Sequence, residues 1–293
     1  MIVVHLIGGL GNQLFQYATG RHLEIRTGEE LYFDISGFDK YKLHHYSLMH
    51  FRIRERFVTA DELREYFGVG RSGILRIYRN WIADRKTDLQ RGVIQERLSH
   101  HYDPDILNLK GNVYLKGYWQ SEKYFAEIGQ VIREDLTLAE PLDGRDLEIA
   151  ELIDSCDSVS LHVRRKDYVI DAATHAKFGT CDLNYYRTCI DHLTGLLPNA
   201  HFFVFSDDPI WAAENLKIDH PLTVVDHNDA SRNYADLMLM SRCKHNIIAN
   251  SSFSWWGAWL NPNLGKMVFA PRRWLASPQF DTPDLIPSNW IKK

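Results

Sequence analysis

Short apolar runs alternate with amphipathic stretches along most of the chain. This pattern predicts parallel strands separated by helices. The opening run, residues 2–7, is short and apolar enough for a buried strand. Gly8, Gly9 and Gly11 follow, and Leu14, Ala18 and Ile25 then fall near one helical face. Gly28 fits the C-cap of that helix, and residues 31–33 form a second apolar run closed by Asp34. Strand, glycine loop, helix and strand make a βαβ unit.

Residues 35–110 are less regular. Thr59 followed by Glu62 fits a capping box at a helix start. Residues 74–82, basic and aromatic, read as helix, and residues 112–118 alternate as a strand does. Ser121 reads as the cap of one helix running to about Asp135. Residues 137–146, with Pro141, Gly144 and three acids, read as a linker. Beyond it the rhythm returns. Strands are expected at 159–163, 201–205, 222–225, 246–249 and 267–269, and helices at 184–197, 209–215, 233–243 and 253–260.

The pattern predicts an α/β chain with two Rossmann-like lobes facing across a cleft. The N-terminal lobe is expected at 1–138 and the C-terminal lobe at 139–275. The tail, 276–293, is expected to return to the N-terminal lobe. Open parallel sheets bind ligands outside the carboxyl ends of their strands, so polar residues there are the candidates for chemistry.

Composition narrows the classes. With 293 residues and 45% apolar content, the chain can bury a large core. Its net charge of −4 argues against a nucleic-acid partner and means that any anion site is built locally. Cys156, Cys181, Cys189 and Cys243 have no metal-like spacing and read as reduced thiols of a cytoplasmic protein. The first residues carry no basic leader, so they do not read as a signal peptide. No apolar run is long enough for a membrane span, which leaves only peripheral attachment at the inner membrane face.

Four clusters follow strands. His162-Val-Arg164-Arg165-Lys166-Asp167-Tyr168 brings three consecutive cations and a carboxylate to one strand end. Arginine forks suit a diphosphate and stabilise charge on a departing one. A solvated loop with an internal Arg–Asp pair is the alternative. Asp207 and Asp208 close the next strand, where they either accept from a base or ribose or cap the helix at Pro209. Asn250, Ser251, Ser252 and Phe253 open a helix, as a phosphate seat or simply as its cap. The tryptophans that follow read mostly as core. In the first glycine loop, Gly9 and Gly11 match the first two glycines of a dinucleotide fingerprint, with Asp34 at roughly the expected distance. Leu14 replaces the third glycine, where a bulky side chain is expected to block close helix–strand packing. Asn12 and Gln13 bring two amides to the loop. The pair Asp103-Pro104-Asp105 reads as a turn rather than a metal site.

Taken together, these segments resemble the bacterial α-1,2-fucosyltransferases. The resemblance rests on Gly8-Gly-Leu-Gly-Asn-Gln-Leu-Phe-Gln-Tyr17, His162-Val-Arg-Arg-Lys-Asp-Tyr168, Phe205-Ser-Asp-Asp208 and Asn250-Ser-Ser-Phe-Ser-Trp-Trp256. Gly117-Tyr-Trp-Gln-Ser121 and Pro271-Arg-Arg-Trp274 also fit. It implies a GT-B fold, GDP-β-L-fucose as donor, inversion at the anomeric carbon and no required metal or other cofactor. It implies that Arg164 contacts the donor β-phosphate, supported by His162 and Arg165. Asp207 or Asp208 would meet guanine or ribose. Asn250, Ser251, Ser252 and Phe253 would lie along the diphosphate. Gly9, Gly11, Asn12 and Gln13 would approach the donor from the other lobe.

Asp167 is the first choice of base, with orientation of the arginines as its rival role. Asp171 and His162 are weaker candidates. Lys166 stands where the family has glycine. The acceptor it implies is a terminal galactose of an oligosaccharide or glycolipid, contacted by the irregular 35–110 region. A nicotinamide-dependent oxidoreductase and a non-catalytic nucleotide-sugar or carbohydrate binder are the competing readings.

Overall fold

The computed structural model describes residues 1–39, 44–69, 92–97, 99–165, 176, 178–277 and 281–293. The helix expected at 74–82 and the candidate bases Asp167 and Asp171 lie outside the described residues. Two compact units are formed, Met1–Ala139 and Glu140–Lys293.

In the first unit, β1 (Ile2–His5) leads through the glycine loop into α1 (Leu10–Thr27) and β2 (Leu31–Asp34). Helix α2 (Ala60–Phe67) starts at a complete capping box between Thr59 and Glu62. Strands β3 (Val93–Gln95) and β4 (Val113–Lys116) complete a parallel sheet of order β2-β1-β4-β3. The single helix expected from Ser121 is broken instead. Two short 3₁₀ turns, Glu122–Tyr124 and Ala126–Ile128, precede α3 (Gly129–Asp135). The adjacent Tyr124 and Phe125 are both fully buried.

Leu14 is also fully buried in α1 and obstructs nothing. The close approach of helix to sheet occurs at Gly20. A Cβ there would lie 2.5 Å from Val4 Cγ2 and 2.7 Å from Leu31 Cδ1.

The second unit opens with α4 (Gly144–Asp154), so the expected linker ends three residues sooner. The elements β5 (Asp157–Val163), α5 (Leu183–Thr194), β6 (Ala200–Ser206), α6 (Pro209–Asn215) and β7 (Leu222–Val225) follow. Then come α7 (Asn233–Arg242), β8 (His245–Ile247), α8 (Ser252–Leu260), β9 (Val268–Ala270) and β10 (Ile291–Lys292). All six strands are parallel, in the order β10-β9-β8-β5-β6-β7. Central β5 and β6 are buried on both faces, as helices on both sides of a sheet require.

The tail does not return to the first unit. It adds β10 beside β9, and Trp290 packs 5.4 Å from Trp255, whose indole N–H donates to the Leu285 carbonyl at 2.8 Å. Apolar burial explains the route: Trp255, Trp256 and Trp259 form one ring cluster that the tail covers. Among the described residues no helix is long and apolar enough to cross a membrane.

Gly20→Ala tests the helix–strand approach. An alanine normally favours a helix interior over glycine, yet here we expect a loss of about 1–3 kcal/mol from overpacking. A urea midpoint that rises instead would show that the contact yields.

Candidate functional site

Parallel pairing of β5 with β6 and β8 sets three strand ends side by side, and their outgoing loops carry the second unit's polar clusters. Asp207 is the hub. Its Oδ2 lies 3.3 Å from Arg164 Nε, and its Oδ1 accepts the Arg165 backbone N–H at 2.8 Å. The Arg165 guanidinium lies over the Trp211 ring, 4.2 Å from the centroid. One carboxylate from β6 thus fixes both the backbone and the first guanidinium leaving β5, while a stacked indole fixes the second.

Asp207 was expected to meet guanine or ribose; both its oxygens instead hold the arginine pair. Asp208 takes the capping alternative at the start of α6, accepting from Trp211 N at 3.3 Å.

His162 is buried beneath this pair, 4% exposed, with its ring 5.8 Å from that of Phe253. Burial, and secondarily the Arg164 charge, push its pKa down to about 3, so the imidazole is neutral at working pH. Its Nδ1 has no hydrogen-bond partner among the described residues. It is therefore an unsuitable base.

At the β8 end, Ser251 caps α8 by accepting from Phe253 N at 3.3 Å, and Ser252 and Phe253 are partly exposed in the first turn. Asn250 was expected to line the diphosphate. It is turned inward, 3% exposed, donating to the carbonyls of Phe178, Gly179 and Trp274 at 2.9, 3.3 and 3.2 Å. It ties three segments together.

In the first unit, Gly9 is the N-cap residue of α1, and a Cβ on it would meet the His44 ring at 3.3 Å. Gly11 is buried in the first turn. Asn12 Oδ1 accepts from Gln120 Nε2 at 2.7 Å. Gln13, expected to reach a ligand, is completely buried: its amide donates to the carbonyls of Gly8 and His45 at 2.9 and 2.8 Å and accepts from Ser47 N at 2.9 Å. All three bonds are internal, so it shapes the loop. Asp34 is likewise engaged, accepting from Tyr114 OH at 2.5 Å and Ser36 N at 3.0 Å while 4% exposed. The ribose acceptor that an oxidoreductase reading needs is therefore not presented.

Two groups escaped the sequence reading. Glu96, just after β3, accepts from the backbone N–H groups of Tyr118 and Trp119 at 2.8 and 3.1 Å. Burial raises its pKa, and it holds Trp119 at a left-handed φ of 55°. The second is a carboxylate cluster after β7. Arg232, Asn228 and His227 donate to the buried Asp146 at 2.6, 2.6 and 2.9 Å, and Asn228 also reaches Asp236 at 2.8 Å. Against the penalty of burial, these bonds keep the Asp146 pKa low. Asp236, with weaker support, is pushed up to about 7 by burial and by Asp146. Distant sequence positions meet here, so spacing gave no signal.

Comparison with known proteins places this geometry. The family model of glycosyl transferase family 11 matches residues 97–293. The alpha-1,2-colitosyltransferase of Escherichia coli is 34% identical over 299 residues, spanning 100% of this chain and 98% of that protein. The O-antigen biosynthesis glycosyltransferase WbnK of Escherichia coli is 30% identical, spanning 92% and 94%. Among solved structures, apo POFUT1 superposes with a TM-score of 0.50 at 14% identity, covering 92% of this chain and 97% of that one. The fold is thus that of a GT-B glycosyltransferase. The chain belongs to glycosyl transferase family 11.

Two neighbouring aspartates separate orientation from capping. Asp207→Asn should lower turnover about tenfold or more by loosening the arginines. Asp208→Ala should cost about 1 kcal/mol of stability, as a lost cap does, with turnover near that of the parent. Equal kinetic losses would contradict the division.

The Asp236 carboxyl holds its proton longer folded than unfolded, so its contribution to stability falls as pH rises from about 4 to about 7. Asp236→Asn should remove that fall and melt about 2–4 °C above the parent at pH 8, but not at pH 4. Parallel melting curves across this range would refute the shift.

Proposed function

We propose that this chain transfers L-fucose, with inversion, from GDP-β-L-fucose to the 2-hydroxyl of a terminal galactose on an oligosaccharide or glycolipid, and that it needs no metal. The observation that carries this reading is the arginine pair at the β5 end, held by Asp207. Bond breaking at the anomeric carbon leaves charge on the departing GDP. Arg164, already aimed and part-buried, meets that charge without reorganising. Arg165, stacked on Trp211, and the N–H groups opening α8 at Ser252 add to it. A cation set of this kind replaces what a divalent ion supplies in metal-dependent transferases. The neutral His162, buried beside Arg164, adds no further charge there. Asp167 remains the first choice to take the acceptor proton, with orientation of the arginines as its alternative role. Asn12, paired with Gln120 within the first unit, keeps its candidate catalytic role. The work is cytoplasmic, or peripheral at the inner membrane face.

A second donor is favoured by one observation: the 34% identical relative is named a colitosyltransferase. Colitose is fucose without its 3-hydroxyl, so the two donors make the same demand on the diphosphate site and differ only at the sugar.

Acceptor-dependent GDP release with lactose, followed in EDTA, tests the reading. We expect release with GDP-fucose, and a fall of at least ~10²-fold in Arg164→Ala. Release from GDP-colitose alone would replace the donor and keep the arginine assignment. Near-normal turnover in Arg164→Ala would overturn that assignment, and dependence on added metal would overturn the metal-free mechanism.

A further inference from the structure

A polar hollow of the first unit lies at the opposite end of its sheet from the glycine loop. It begins with an alternating sequence, Arg52-Ile-Arg54-Glu-Arg56. In extended backbone, every second side chain faces the same way. This segment is extended and pinned at both ends. Arg52 N donates to the Thr137 carbonyl at 2.9 Å, while Phe33 N donates to the Arg56 carbonyl at 2.7 Å and Val58 N to the Phe33 carbonyl at 3.1 Å. Because Phe57 bridges Phe33 in parallel, residues 52–54 overhang the amino end of β2.

The three arginines line a cavity of about 250 Å³ together with Arg21, Glu24 and Asp135. Its carboxylates are already committed. Asp135 accepts from Tyr17 OH at 2.8 Å and Arg21 Nε at 2.9 Å. Glu24 pairs with Arg21 at 2.8 Å and Arg56 at 3.2 Å. Arg56 also reaches Glu30 at the rim, at 3.1 Å. Arg21 and Arg56 are therefore neutralised. Arg52 and Arg54 have no carboxylate partner among the described residues, and Arg52 Nε is anchored on the Leu138 carbonyl at 3.1 Å. Two guanidinium groups without a carboxylate partner among the described residues, lining one cavity in a chain of net charge −4, suit an anion. The volume suits a phosphate or diphosphate group and not a whole nucleotide sugar.

We propose that this cavity binds a phosphate-class anion, a phosphomonoester or diphosphate, through Arg52 and Arg54, separately from the arginine pair of the second unit. The anion is either free in solution or the headgroup of a lipid. This assignment is independent of the donor and acceptor proposed above.

The test uses the full chain. Inorganic pyrophosphate is titrated calorimetrically at constant ionic strength, with excess GDP present and again in the Arg164→Ala chain, so that the second unit's arginines do not supply the signal. Binding is expected in both settings and should weaken about tenfold or more in Arg54→Gln and in Arg52→Gln/Arg54→Gln. Arg54 is exposed and makes no hydrogen bond among the described residues, so its single variant should keep the parent melting temperature. Flotation with phosphatidylglycerol vesicles, against phosphatidylcholine vesicles, then distinguishes the sources. Co-flotation lost in Arg54→Gln assigns a lipid headgroup; pyrophosphate binding without co-flotation assigns a free phosphate compound. If neither probe binds, or if both arginine variants bind as the parent does, the cavity is a salt-bridged surface feature and the proposal fails.

Discussion

The bond on which the second unit's chemistry depends is a carboxylate shared between two strand ends. Asp207, leaving β6, holds the guanidinium of Arg164 and the backbone of Arg165, both leaving β5. Two cations in adjacent positions repel each other and would each sample many rotamers if unpaired. The Asp207 carboxylate offsets the Arg164 charge and fixes that guanidinium, while Trp211 holds the Arg165 one. The pairing is possible only because β5 and β6 are neighbours in register, with Val163 beside Ser206. The sheet order is therefore what brings the carboxylate to the arginines.

The same order explains why the remaining groups fall where they do. β8 flanks β5 on its other side, so the opening of α8 lies next to the arginine loop, and Phe253 reaches the His162 ring. His162 points inward from the last turn of the strand and loses its charge through burial. A protonated imidazole there would add a third positive charge beneath Arg164. The neutral form leaves polarity without repulsion.

Much of the architecture was legible because apolar runs long enough to be buried on both faces leave a clear signature, as in β5 and β6. What escaped was short or depended on packing. The three residues of β3 offer too little alternation to recognise, and Glu96 was missed with them. The tail carries no strand pattern, and its destination is set by the tryptophans it covers. In α1 the fingerprint comparison fixed attention on Leu14, whereas the helix is close to the sheet further along, at Gly20. The motifs fall at strand ends, but their sequence did not say how each side chain is used. Asp207 and Asp208 are adjacent and chemically identical, yet one orients cations and the other caps a helix.

That difference has a general physical basis. A buried amide or carboxylate has few hydrogen-bonding positions, and each one engaged internally is unavailable to a ligand. Gln13 and Asn250 lie in ligand-facing motifs, but their amides join loop to loop, and removing either would leave several buried backbone carbonyls without donors. Such residues govern the site by fixing loop shape. Arg164 differs in kind, since its guanidinium stays part-exposed at the end of β5. A motif in this family is thus a composite of ligand-facing groups and the internal ties that hold them. A substitution at a tie should disturb donor and acceptor handling together, because it moves the loop and removes no single contact.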